Sequence, residues 1–135
     1  METTTLSPQK KQPEKKFILV AEDDNFYANI YKVKLAKEGY EVVVVGNGEW
    51  VLKALQKKIP NLILLDLIMP VKDGFDTLKE IKANPVYAQI PVMILSNLSQ
   101  EEDKQKAKDL GAVDFITKAD VSIHDVLAKI KLYCT

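Results

Sequence analysis

At 135 residues the chain is long enough for one domain with a sizeable core, and no shift in composition marks a second. Nineteen basic residues against nineteen acidic ones leave a formal charge of zero, which argues against a dedicated nucleic-acid binder and against a polybasic membrane anchor. The single Cys134 allows no internal disulfide, no apolar stretch is long enough to span a bilayer and the N-terminus has no signal-peptide core, so a reducing, cytoplasmic setting is expected.

Residues 1–16 are polar, with two prolines, four lysines and no apolar periodicity, and are expected to form a disordered tail ahead of a domain at 17–135. Residues 17–21 form a short apolar run that ends in Glu22, Asp23 and Asp24 and reads as a strand. Helical spacing follows from Asn25, with Phe26, Ile30, Val33, Leu35 and Ala36 as the expected inner face and Asp24 or Asn25 as the cap. Residues 41–45 are a β-branched strand, and Gly46-Asn47-Gly48 turns it into a helix expected to face inward through Trp50, Val51, Ala54 and Leu55. Residues 62–65, Leu-Ile-Leu-Leu, read as a central strand buried on both faces, with Asp66 at its end. Met69-Pro70 and Asp73-Gly74 then break regular structure and leave the Asp66 carboxylate at the mouth of a loop. A helix over 75–83 with Leu78 and Ile81 inward precedes a fourth strand at 92–95, which stops at Ser96-Asn97. A charged helix over 100–110, a fifth strand at 114–117 ending at Lys118, and an amphipathic helix over 122–132 complete the chain.

Five strands alternating with five helices indicate an α/β fold with one doubly wound parallel sheet. In strand order 2-1-3-4-5 the switch point lies between the first and third strands, where Glu22, Asp23 and Asp66 should meet, flanked by Ser96 and Lys118. Three gathered carboxylates repel one another and call for positive charge. Lys118 supplies one unit, and Mg²⁺ suits a site with few carboxylates that keeps several waters. An Asp between such a metal and a lysine can attack a phosphoryl group and become an acyl phosphate, with Ser96 donating a hydrogen bond to another phosphoryl oxygen.

From about Phe17 onward the chain resembles the receiver domain of two-component response regulators, a flavodoxin-like (βα)5 fold. The resemblance rests on Glu22-Asp23, on Asp66 followed by Met69-Pro70 and Asp73-Gly74, and on Ser96 and Lys118. It implies that Asp66 is the phosphoacceptor, and that Asp23, Asp66 and the backbone carbonyl of Ile68 hold Mg²⁺, with Glu22 acting directly or through water. Ser96 and Phe115 would form the conformational switch. Partners implied are a histidine kinase or histidine phosphotransfer protein and a downstream protein on the face of the fourth helix, fifth strand and fifth helix. The protein would be a monomer or a phosphorylation-dependent dimer, with no nucleic-acid or membrane partner. Because the last helix finishes at the C-terminus, a stand-alone switch without an output domain is expected, not an enzyme beyond its own phosphorylation and slow dephosphorylation. Ile68 and Leu98, both apolar, are expected to flank the hydrolytic water and to slow that loss.

Two positions depart from the family pattern: Ala119 follows the lysine where a proline in a cis bond is usual, and Asn97 follows Ser96 where a very small residue is usual. Each site residue also has a plain structural explanation when taken singly, as a cap, a turn residue or a solvated charge, and Phe115 can be core packing alone. Rival functions are an unphosphorylated interaction module and an aspartyl-phosphate phosphatase or phosphotransferase. The haloacid-dehalogenase type would want a second Asp where Ile68 stands.

Overall fold

A computed structural model describes residues 14–134; the tail expected over 1–16 lies, through residue 13, outside them. The apolar runs become strands β1 (Phe17–Ala21), β2 (Glu41–Val45), β3 (Leu62–Leu65), β4 (Val92–Ser96) and β5 (Asp114–Thr117). They pair in parallel in the order β2-β1-β3-β4-β5, as expected. Helices α1 (Asn25–Lys37), α2 (Gly48–Lys57), α3 (Gly74–Ala83), α4 (Glu101–Asp109) and α5 (Ile123–Tyr133) form the crossovers, and a 3-10 turn covers Lys118–Asp120. No helix among the described residues is long and apolar enough to cross a membrane.

The period of two along each strand divides the core. Leu19, Ala21, Ile63, Leu65, Val92 and Ile94 face α2, α3 and α4 through Val51, Leu55, Leu78, Ile81 and Ala107. Ile18, Val20, Leu62, Leu64, Met93 and Leu95 face α1 and α5 through Tyr31, Leu35, Val126 and Ile130. β1, β3 and β4 are buried on both faces, which explains why they read as unbroken apolar runs and not as alternating ones.

Two helix faces differ from expectation. α1 buries Tyr31 and Leu35, with Tyr27 stacked on Tyr31 at 6.1 Å, while Phe26 and Val33 are exposed. Tyr31 is almost wholly buried and Tyr27 half-buried, so an apolar count that omits tyrosine selects the wrong stripe. On α2, Val51 and Leu55 are buried but Trp50 is turned out, with the Lys53 ammonium 4.7 Å from its ring centroid. The cation over the face of the half-exposed indole is a favourable contact that offsets part of the burial it forgoes.

The loops that carry the site are fixed by short-range chemistry. Asp24 caps α1 by accepting from the Phe26 and Tyr27 N–H groups, and Asp73 caps α3 by accepting from Asp76 N–H at 2.9 Å. Gly74 lies so close beneath the β3 end that a Cβ there would fall 2.2 Å from the Asp66 carbonyl oxygen. Only glycine lets α3 start at that point without displacing Asp66.

Candidate active site

Glu22 and Asp66 each continue the sheet one residue past its strand: Glu22 N–H donates to the Val45 carbonyl at 2.9 Å, and Asp66 N–H to the Ala21 carbonyl at 3.1 Å. The carboxylates therefore leave a rigid edge, not a free loop. Among the described residues the buried polar side chains are Glu22, Asp66, Thr77, Ser96 and Lys118, and four of these five meet at this edge. Burying them is unfavourable unless they satisfy one another, so their convergence marks a purpose-built cluster.

Lys118 supplies the compensation. Its ammonium donates to Asp66 Oδ2 at 2.9 Å, pairs with Glu22 Oε1 and sits 4.4 Å from the centroid of the Tyr27 ring. The second oxygens are held by backbone: Ile68 N–H donates to Asp66 Oδ1 at 3.3 Å, and Asp24 N–H to Glu22 Oε2 at 3.0 Å. Burial pushes the Glu22 carboxyl above its ordinary range, and the Asp66 charge adds to that. Hydrogen bonds from Lys118 and from Asp24 N–H offset part of the shift. For Lys118 burial pulls downward, but the hydrogen bonds to Glu22 and Asp66 outweigh it and the ammonium is held above its usual value.

Asp23 completes the set from an exposed position, and one oxygen from each of Glu22, Asp23 and Asp66 lies within 4.8 Å of the others. Ligands of an ion bound at about 2.1 Å stand at most about 4.2 Å apart, so small side-chain rotations would bring these three around one hard cation. The donor set is all oxygen, and three carboxylates against one ammonium leave two negative charges, so the residues fit a divalent ion of the Mg²⁺ class.

Glu22, Asp23, Asp66, Ile68, Ser96 and Lys118, all expected at the site, line one cleft of about 300 Å³ together with Asp24, Tyr27 and Asn97. The Ser96 hydroxyl oxygen accepts from Leu98 N–H at 3.2 Å, which leaves its proton free to be donated. Phe115 lies elsewhere: it is half-buried on the α2–α4 side and lines a separate hollow against Lys104 and Ala107 of α4. Ile68, 61% exposed, borders the carboxylates, while half-buried Leu98 packs against the core next to the Ser96 hydroxyl that its N–H reaches. Every peptide bond among the described residues is trans, that before Ala119 included, and Lys118 reaches both acids from the 3-10 turn. Tyr27 was not expected at the site. Its contact with Lys118 joins residues at opposite ends of the chain, which no local spacing reports.

Comparison with known proteins agrees with this geometry. The family model described as response regulator receiver domain matches residues 18–131. The chain is 40% identical over 101 residues to response regulator RR06 of Streptococcus pneumoniae, covering 75% of this chain and 45% of that protein. It is 32% identical over 116 residues to the alkaline phosphatase synthesis transcriptional regulatory protein PhoP of Bacillus subtilis, covering 86% of this chain and 47% of that one. The chain thus spans under half the length of these relatives. Among solved structures, the phosphorylated cyanobacterial phytochrome response regulator RcpA superposes with a TM-score of 0.82 at 32% identity, covering 89% of this chain and 94% of that one.

Proposed function

Because the chain belongs to the response regulator receiver domain family, we propose that it is a phosphorylation-dependent signalling switch whose acceptor is Asp66. The observation that carries this reading is the buried Lys118 ammonium shared between Glu22 and Asp66 in an open cleft, with the Asp66 carboxylate available beside it. An Asp66 oxygen forms the new P–O bond while the P–N bond of a donor phosphohistidine breaks, and the leaving imidazole keeps the electron pair and takes up a proton. Lys118 moves from carboxylate to phosphoryl oxygen with little displacement, and the Ser96 hydroxyl donates to a second oxygen. Asp23, Asp66 and the Ile68 carbonyl would hold Mg²⁺, with Glu22 acting directly or through water; the ion supplies charge neutralisation at the transferring group. The donor class is a histidine kinase or histidine phosphotransfer protein in the cytoplasm. Output is a protein–protein contact through the α4–β5–α5 face, made by a monomer or a phosphorylation-dependent dimer, and no external substrate is turned over.

Intact-mass spectrometry after incubation with acetyl phosphate and Mg²⁺ tests this. The parent protein should gain one phosphoryl group and Asp66→Asn none. Equal labelling of the two would assign the acceptor elsewhere, and no labelling of either with acetyl phosphate or with phosphohistidine donors would favour an unphosphorylated interaction module.

A further inference from the structure

The two positions at which the chain departs from its family pattern touch each other. β4 and β5 stay paired through Ser96↔Thr117 and then diverge, one toward α4 and the other into the 3-10 turn. Across the gap, the Asn97 side-chain oxygen accepts from Ala119 N–H at 2.9 Å, 22 residues apart in sequence. A proline at 119 would have no such proton to give, and a residue without a side-chain acceptor at 97 could not receive it. The bond therefore acts as one further rung on the sheet, built from a side chain where the backbones can no longer meet.

Its location gives it consequence. Asn97 and Ala119 each directly follow a residue of the cleft, Ser96 and Lys118. Ser96 is held on its own loop by Leu98 N–H, and Lys118 is held by carboxylates just past β1 and β3 but begins a turn of only three residues. We propose that Asn97 is a positioning residue: by tying Ala119 to the Ser96 loop it fixes the starting point of the Lys118 side chain, so that ammonium and hydroxyl approach the phosphoryl group as one unit. The rival role for Asn97 is a shield that narrows access to Asp66, and the two separate cleanly. Asn97→Leu keeps the bulk and removes the acceptor, whereas Asn97→Asp keeps the acceptor.

This inference rests on the assignment of Asp66 as acceptor, and its test is chosen so that the two can fail apart. Amide hydrogen exchange at Ala119, read by NMR on the full chain without any donor, reports the bond itself. Exchange should quicken about fivefold in Asn97→Leu, the factor that one neutral hydrogen bond corresponds to, and stay near the parent value in Asn97→Asp. Labelling by acetyl phosphate at saturating donor and Mg²⁺ should slow by a similar factor in Asn97→Leu. Its Mg²⁺ affinity should match the parent, since Glu22, Asp23 and Asp66 are untouched, and its thermal midpoint should fall by no more than the few degrees that one lost hydrogen bond corresponds to. Unchanged Ala119 exchange in Asn97→Leu overturns the tether, and lost protection with an unchanged labelling rate overturns its positioning role. A parent protein that takes no label overturns the Asp66 assignment and the positioning role with it, while the Ala119 exchange still reports the bond.

Discussion

Glu22 stands under opposing demands. Two carboxylates and one ammonium are buried together, and its pKa is raised because burial outweighs the help from Lys118. The folded state thus holds the Glu22 proton more tightly than the unfolded state, whose value is near 4.5. Stability from this group is fully present below that value and is lost as pH rises through the folded pKa. Glu22→Gln should therefore stabilise the metal-free protein at pH 7 and flatten its stability profile above pH 4.5, while weakening Mg²⁺ binding. Thermal denaturation with a chelator, set beside calorimetric Mg²⁺ titration, checks both; a less stable Glu22→Gln protein would refute the argument. Parent Mg²⁺ affinity should fall as pH drops through the raised Glu22 pKa, since proton and metal compete for one carboxylate. Val71, in the loop between Asp66 and α3, shows a different conflict: a β-branched residue at φ 70°, 79% exposed. It packs against little and occupies the left-handed region at a cost of order 1–2 kcal/mol. Val71→Asn should raise stability by about 1 kcal/mol, seen as a higher urea midpoint at unchanged slope, with labelling unaffected.

At the scale of elements, what sets the cleft is how tightly α2 and α3 close on the loop after β3. Gly48 N–H at the start of α2 donates to the Lys72 carbonyl at 3.0 Å, and a Cβ on Gly48 would lie 2.0 Å from Thr77 Oγ1 and 2.7 Å from that carbonyl oxygen. Gly74 is as confined: its N–H donates to the Leu67 carbonyl at 2.9 Å, and a Cβ on it would lie 2.2 Å from the Asp66 carbonyl oxygen. Gly74→Ala should cost about 1–3 kcal/mol, the usual penalty of forced overpacking, and should slow labelling of Asp66 more than the stability loss explains, because the strain falls on the acceptor's own backbone. Labelling at a temperature where the variant is fully folded distinguishes the two effects. The expected elements lie within a residue or so of those observed, because turn residues and caps punctuate the chain: Asp24, Asn47, Asp73 and Ser122 each cap the helix that follows. The faces of α1 and α2 were less legible, since Tyr31 and Trp50 are both amphipathic and only their neighbours in space decide which part is buried.

For the whole molecule, the cleft and the half-buried Phe115 lie at different places on the sheet, joined through β4 and β5 by the pairs Ile94↔Phe115 and Ser96↔Thr117. A displacement of Ser96 toward a phosphoryl group would be felt two rungs away at Phe115, which packs beside α4. Addition of beryllofluoride and Mg²⁺ should therefore shift backbone resonances from Asp66 through Phe115 to Glu101–Asp109. Shifts confined to residues around Asp66 would mean that the site binds without switching. The strands, their parallel pairing, and the acids, serine and lysine at their ends are legible in the sequence, because a buried parallel strand must be apolar until the residue where it meets solvent; the alternation alone is compatible with more than one strand order, and the observed pairing decides it. Asn97 and Ala119 are unusual only beside the family pattern, and that comparison does not show that they bond. The tertiary structure alone decided that pairing, the Tyr27 ring beneath Lys118, the sharing of Lys118 between Glu22 and Asp66, and the inward face of α1. Each depends on a contact between residues far apart in the chain or on which half of an amphipathic side chain its neighbours cover, and no local pattern encodes either.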